Sequence, residues 1–456
     1  MLISLKKFFI RHLTPQRIFV LSFFSIILIG TFLLWLPFSS SKKPLTFIDA
    51  LFTATSALCV TGLTVIDIGN DLSFFGQIVT LILFQVGGIG IITFSVFFFH
   101  LMGMSIPFKN REIIQSSFAP SPRQDFQIIL KYVLLSTLVI EFFGCLIMTL
   151  RFLKDFSFGK AIYFGVYHAI SAFNNCGYSL FSNSFMNFKN DFITNTVIMA
   201  LIVLGGIGFF VHFDMLSYFT SNKKKKRLSL HTKIVLITTV SLICIGALFF
   251  YLFERSYAIK DLPLSTQILV SFFQSITART AGFNTVDIGR LTNDTILLLM
   301  MLMFIGASPG STGGGVKTTS FALLIIMLWN RLTGSDEVNV MNRTISRDLI
   351  SKTVSIIFAS VLSIVIITSL LLFMADKNIH FSNRNLFIEY LFETISAFGT
   401  VGLSMGITPH MNDIQKVIVT IMMFAGRVGP LTLAFSLSIK PKKALIKYAE
   451  EDIMVG

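Results

Sequence analysis

Residues 306–319 read GASPGSTGGGVKTT, a run of glycines followed by Lys317, Thr318 and Thr319 that comes close to a phosphate-binding loop. That chemistry needs the lysine directly after the last glycine, so that backbone N–H groups and the ammonium converge on one phosphate. Here Val316 intervenes, and strongly apolar runs at 295–305 and 320–329 flank the loop. A nucleotide cradle is therefore disfavoured. Arg427 lies in a later apolar segment. A charge near the middle of a membrane helix costs roughly 2.5–3.5 kcal/mol on insertion scales, so Arg427 needs water or a polar partner. The loop carbonyls of 308–315 are the nearest candidates. Glu141, in LVIEFFGCL, is a third charge in apolar surroundings and reads equally as a helix–helix contact or a functional group. The seven histidines have no ligand spacing, and no Ser/His/Asp set stands out, which disfavours an enzyme. Cys59, Cys145, Cys176 and Cys244 lie in or beside apolar segments, without the paired spacing of a zinc site or disulfide framework.

The elements that carry these groups belong to a membrane. The 456 residues are 54% hydrophobic and 13% charged, with a mean hydropathy of +0.77; a soluble domain carries about 25% charged residues. Apolar segments near 18–37, 78–101, 128–150, 194–218, 234–253, 295–328, 353–374 and 415–438 are long enough to cross, since about 20 residues span ~30 Å of hydrocarbon. No small-residue cleavage site follows the first, which reads as a retained helix. The net charge of +14 gathers at 6–17, 109–131, 223–233, 331–352 and 440–447, which hold 22 of the 37 basic residues at alternate ends of these segments. That pattern sets topology, with both termini cytoplasmic, and argues against nucleic acid. KKKKR at 223–227 is a topology anchor, with a contact to anionic lipid or an acidic partner as the second option.

Between the members of each pair of spans lies a shorter stretch, and these four repeat: FTATSALCVTGLTV (52–65), YHAISAFNNCGYSL (167–180), FQSITARTAGFNTV (273–286) and FETISAFGTVGLSM (392–405). Each has an aromatic first, Ser or Thr fifth, Ala sixth and then a glycine, namely Gly62, Gly177, Gly282 and Gly402. The expected fold is an all-α membrane protein of four membrane–pore-helix–membrane repeats around one central pore, with eight full crossings. Its expected units are 1–105, 106–220, 221–335 with a loop at 306–318, and 336–440, followed by a cytoplasmic tail at 441–456. Each short stretch describes a half-helix that stops inside the membrane and continues as extended backbone. Such backbone is tolerated there only when buried in protein or lining water. Four copies around one axis present rings of carbonyl oxygens that replace the hydration shell of a monovalent cation, and helix C-termini add partial negative charge. Asp49 and Glu389, at equivalent places near the starts of the first and fourth half-helices, read as helix-end stabilisers.

The second spans repeat too, through VGGIG (86–90), LGGIG (204–208), IGASPG (305–310) and AGRVGP (425–430). Close helix packing explains the first two. In the third, Pro309 and the run from Gly310 to Gly315 cannot continue a helix. The interruption lies just below the half-helix glycines, where a polar loop serves as an obstruction that must move before ions pass. In the fourth, Arg427 replaces Gly88, Gly206 and Ala307 as a barrier or gating group, with a purely structural anchor as the alternative, and Lys317 either shares that work or reaches towards the cytoplasm.

With TSALCVTGL, SAFNNCGYS, TARTAGFNT, SAFGTVGLS, GASPGSTGGGVKTTS and AGRVGP all present, the chain resembles the Trk/Ktr/HKT superfamily of potassium transporters, and within it the Ktr-type membrane subunit, from the first span to residue 438. The resemblance implies a selectivity filter of Val60, Thr61 and Gly62; Asn175, Cys176 and Gly177; Thr280, Ala281 and Gly282; and Thr400, Val401 and Gly402. It implies a gate of Gly310, Ser311, Thr312, Gly313, Gly314, Gly315, Lys317 and Arg427. It further implies potassium as the ion carried, a homodimer in the plasma membrane, and a cytosolic ring of regulatory subunits that holds the nucleotide. Sodium stimulation stays open. The four filter strands are unlike, with Arg279 in one and Asn174–Asn175 in another, which points to selectivity less strict than that of an identical four-fold filter. A sodium-coupled symporter, a less selective cation channel and a membrane subunit without a pore are the competing readings.

Overall fold

The computed structural model describes residues 15–90, 126–220, 227–375 and 386–429. The expected segments at 91–101 and 430–438, the basic residues at 109–125, 223–226 and 440–447, and the tail 441–456 lie outside the described residues. The described residues are mostly helical, with a small hairpin of β1 (Asn339–Val340) and β2 (Arg343–Thr344).

Each stretch of chain follows one order: a first helix, a short helix, a turn of extended backbone and a second helix. The first set is α1 (Pro15–Trp35), α2 (Phe47–Leu58) and α3 (Phe74–Ile89). Next come α4 (Phe126–Phe152), α5 (Phe158–Phe173), α6 (Phe192–Gly206) and α7 (Phe209–Thr220). The third set is α8 (Leu230–Glu254), α9 (Leu264–Thr277), α10 (Asn293–Phe304) and α11 (Thr318–Leu332). Last are α12 (Arg347–Phe373), α13 (Leu386–Gly399) and α14 (Asp413–Val428). Among the described residues, Tyr132–Phe152, Leu230–Glu254 and Arg347–Phe373 are long and apolar enough to cross a bilayer unaided.

The second helices start from a built signal. Ser73, Asp191, Thr292 and Asn412 each stand at the N-cap of α3, α6, α10 and α14, and each side chain accepts from an amide of the first turn. These contacts satisfy donors that a helix start otherwise leaves orphaned. Three of these helices, α3, α6 and α14, end at or just before a glycine. Gly90, Gly208 and Gly429 have φ of 95°, 95° and 90°, a conformation that side chains resist. At Gly208 the consequence is visible, because α6 and α7 meet at 96°.

That break corrects the reading of 194–218 as one continuous crossing, and of the helix break as peculiar to 305–317. The small residues of VGGIG and LGGIG do more than permit close packing, since the last glycine of each carries a backbone turn that no Cβ accommodates comfortably. The third set differs from the second in inserting a loop between α10 and α11 where the second breaks at a single glycine.

The sets close on one another in a circle. Helix α3 packs on α5, α6 on α9, α10 on α13, and α14 returns to α2. The aromatic that opens each short motif sits in the core of this arrangement: Phe52, Tyr167, Phe273 and Phe392 are all fully buried. So are the motif alanines Ala57, Ala172, Ala278 and Ala397. Within a membrane such side chains act through close packing, so the four buried aromatics anchor the short helices where the chain then turns away.

Candidate functional site

Beyond each short helix the backbone makes the same turn. Val60, Asn175, Thr280 and Thr400 adopt the left-handed region (φ 57°, 57°, 68° and 49°), each two residues before its glycine. The glycines Gly62, Gly177, Gly282 and Gly402 follow at φ 93°, 76°, 83° and 90°. Left-handed φ at β-branched Val60, Thr280 and Thr400 costs on the order of 1–3 kcal/mol per residue, and persists only where surrounding contacts impose it.

Those contacts begin with the fifth residue of the motif. Ser56 Oγ donates to Leu63 O (2.7 Å), Ser171 Oγ to Tyr178 O (2.8 Å) and Thr277 Oγ1 to Phe283 O (2.6 Å). Ser56 Oγ and Ser396 Oγ also accept from the amides of Gly62 and Gly402, both at 3.1 Å. The hydroxyl thus ties the end of the short helix to the backbone at or just past the glycine. The third copy is one residue shorter between this hydroxyl and the left-handed residue, and turns more tightly: Ala281 N and Gly282 N both donate to Thr277 O (2.9 and 3.4 Å). In the first, second and fourth copies, Thr61 N, Cys176 N and Val401 N donate to Ser56 O, Ser171 O and Ser396 O.

A second tie comes from the residue after the buried aromatic. His168 Nε2 meets Ser179 Oγ at 3.0 Å, Gln274 Nε2 donates to Thr285 Oγ1 at 3.3 Å, and Thr408 Oγ1 donates to Glu393. The sequence showed the Ser/Thr position as part of a repeat without a role for it. It gave no sign of the second tie, since histidine, glutamine and glutamate share no type.

The four turns meet at the centre. A Cβ built on Gly62 would fall within 3.0 Å of Cys176 O, one on Gly177 equally close to Ala281 O, one on Gly282 to Val401 O, and one on Gly402 to Thr61 O. Each glycine therefore faces the carbonyl preceding the glycine of the next copy, and the fourth returns to the first. The Asn175 amide, with its nitrogen towards Ile202 O and Ala172 O (both 3.1 Å), accepts from Thr280 Oγ1 at 3.3 Å and links the second and third copies. All twelve candidate filter residues lie in these four turns.

The loop between α10 and α11 sits beneath this ring. Gly306 N donates to Val316 O (2.8 Å), closing the loop at its base, and Lys317 Nζ folds back to Gly313 O (2.7 Å) and not away from the loop. Gly314 N donates to Thr400 Oγ1 (3.0 Å), and a Cβ on Gly313 would collide with Thr280 Oγ1. Both threonines are the left-handed residues of the ring. On its other flank the loop takes up backbone left free by the break in α6. Ser308 N donates to Gly206 O (3.0 Å), Thr312 N to Gly205 O (3.2 Å), and Phe209 N to Gly310 O (2.9 Å). Arg427 completes the arrangement: one guanidinium nitrogen donates to Thr312 O and the other to Gly87 O. One side chain of the fourth copy thereby holds the loop of the third against the second helix of the first. Gly87, some 340 residues away, was not among the expected partners.

Glu141 makes a contact between helices. Its oxygens accept from Gln85 Nε2 (2.9 Å) and Asn174 Nδ2 (3.0 Å). Asp49 is in the first turn of α2, where Thr46 caps the helix, and Lys416 Nζ reaches Asp49 Oδ1 at 2.7 Å. Glu389 stands in the first turn of α13.

A model of the TrkH family, described as a cation transport protein, matches residues 5–448. The chain is 37% identical to Ktr system potassium uptake protein B of Bacillus subtilis over 445 residues, covering 97% of each chain. It is 36% identical to the protein of the same name from Vibrio alginolyticus, covering 96% of this chain and 94% of that one. It is 34% identical to potassium/sodium uptake protein NtpJ of Enterococcus hirae, covering 99% of both. The crystal structure of the potassium transporter TrkH from Vibrio parahaemolyticus superposes with a TM-score of 0.69 over 94% of this chain and 86% of that one, at 19% identity, a likeness of fold. Near-complete coverage by the family model and by relatives above 30% identity places the chain in the TrkH family of cation transport proteins, a family of transporters and not of enzymes.

Proposed function

We propose that this chain is the ion-translocating membrane subunit of a potassium uptake system, with the ring of Gly62, Gly177, Gly282 and Gly402 as its selectivity filter. The observation that carries the reading is the closed circuit in which each glycine faces the carbonyl before the next. Only a residue without a Cβ lets those carbonyls stand so close to a shared axis, where they replace the water of a dehydrated cation. The relatives named for potassium uptake support potassium as the ion, and the one named for potassium and sodium keeps sodium as a second ion or stimulant.

Residues 310–315, with Lys317 and Arg427, form the gate in this reading. The loop lies against Thr280 and Thr400 of the ring and is latched from two sides, so ions pass only after it moves. The basic clusters support a topology with both termini and the loop's side of the ring in the cytoplasm. A homodimer seated on a cytosolic nucleotide-binding ring supplies the control, and the name of the relatives, a Ktr system, fits a partner subunit.

Potassium flux in proteoliposomes tests this, using the chain with and without its regulatory ring. Deleting residues 311–314 is expected to raise flux in the absence of the ring, and Gly402→Ser to weaken preference for potassium over sodium. Unchanged flux in the first and unchanged preference in the second would overturn the gate and the filter respectively. A sodium-coupled symporter is the second reading, and the bend at Gly208 supports it by adding another interrupted helix of the kind such transporters use. An imposed sodium gradient that drives potassium accumulation would select it.

A further inference from the structure

Behind the second turn lies a closed polar triad that the transport reading does not use. Gln85 Nε2 donates to Glu141 (2.9 Å), Asn174 Nδ2 donates to Glu141 (3.0 Å), and the same Asn174 amide donates to Gln85 Oε1 (2.6 Å). Asn174 Nδ2 also reaches Ile170 O at 2.9 Å. The three side chains come from α3, α4 and the C-cap of α5, so the triad joins two copies of the repeat. Glu141 is 5% exposed and Asn174 fully buried. Gly88 makes room for the triad, since a Cβ there would coincide with Asn174 Oδ1. Among the described residues no lysine or arginine pairs with Glu141, so the amides of Gln85 and Asn174 are what satisfy its buried oxygens.

Asn174 immediately precedes Asn175, whose left-handed φ of 57° sets the direction of the second filter strand. We infer that Glu141 is a positioning residue that, with Gln85, fixes Asn174 and thereby the second-strand filter carbonyls of Asn175 and Cys176. This rests on the filter reading above. A carboxyl group suits the place because both of its oxygens accept, one from each amide, where an amide side chain has a single acceptor oxygen. In Glu141→Gln an N–H2 group replaces one of those oxygens and meets the amide of Gln85 or of Asn174.

Charge transposition separates this from a general packing role. The double variant Gln85→Glu/Glu141→Gln keeps one carboxylate and two amides, and every bond of the triad is redrawn with the same geometry. Potassium-over-sodium preference and thermal midpoint would be measured in proteoliposomes for E141Q, the double variant and Gly402→Ser. E141Q is expected to lower preference about tenfold, the scale of one lost hydrogen bond to a charged group, and the double variant to restore most of it. Unaltered preference in E141Q with only the midpoint lowered would overturn the inference, as would a double variant no better than the single. If E141Q does not assemble, Gln85→Leu opens the triad from the other side, and full preference there overturns it equally. A loss in Gly402→Ser with none in E141Q refutes the triad and leaves the filter standing. No loss in any variant refutes the filter itself.

Discussion

Arg427 holds two carbonyls that belong to different copies of the repeat, and its worth as a latch depends on its fork. A guanidinium places two N–H groups in fixed directions, whereas an ammonium is a single point of charge. Arg427→Gln removes the charge and at least one of the bonds to Thr312 O and Gly87 O. Losing a hydrogen bond to a charged group is worth about 1.5–3 kcal/mol, so the closed loop should weaken enough to raise basal potassium flux by about tenfold or more. Arg427→Lys should fall between the two, keeping the charge and losing the bridge. Flux in vesicles without the regulatory ring checks this, and equal flux in all three chains would rule out the latch. The sequence marked Arg427 as a charge needing a polar partner. It did not indicate Gly87, because a contact across about three quarters of the chain leaves no local pattern.

Among the elements, hydroxyls at the ends of the short helices hold the turn that follows, and the proposed filter rests on those turns. Ser171→Ala leaves Tyr178 O buried without its donor, at a cost of about 1–3 kcal/mol, and frees the left-handed turn at Asn175. A lower thermal midpoint together with reduced potassium preference is expected, with Ser171→Thr retaining both. A lower midpoint with unchanged preference would show that the hydroxyl serves folding alone. The sequence showed the four short helices and their glycines clearly, since an aromatic, a hydroxyl, an alanine and a glycine recur in order. It showed the helix breaks poorly. In VGGIG and LGGIG the glycines that pack and the glycine that turns are the same residue type, and only φ tells them apart. The one-residue shortening of the third copy was equally hard to read, because Thr277 absorbs it by taking both following amides.

At the scale of the whole molecule, the circle closes where α14 meets α2, and there Lys416 and Asp49 form an ion pair whose side chains are 12% and 18% exposed. The pair also accounts for Asp49 beyond its place in the first turn of a helix. Lys416→Met should cost on the order of 1–2 kcal/mol, given partial burial, and should lower the thermal midpoint while leaving the first three short helices in place. Limited proteolysis near 40–50 would then increase relative to other sites if this junction opens first; uniform cleavage would argue against it. Hydropathy alone marked the long helices at 128–150, 234–253 and 353–374, but not the bend that divides 194–218. The arrangement of four repeats around one axis was also read from the motifs; which helix of one copy touches the short helix of the next was not, because that pairing leaves no local pattern.

The central claim is that four glycines, one per copy, share a single filter. The most direct measurement is the potassium-to-sodium permeability ratio of the four single variants Gly62→Ser, Gly177→Ser, Gly282→Ser and Gly402→Ser, each reconstituted alone. Every substitution places a Cβ against the carbonyl of the following copy, so all four are expected to lower the ratio. A ratio left intact in one or more folded, conducting variants would contradict a filter built jointly by the four turns.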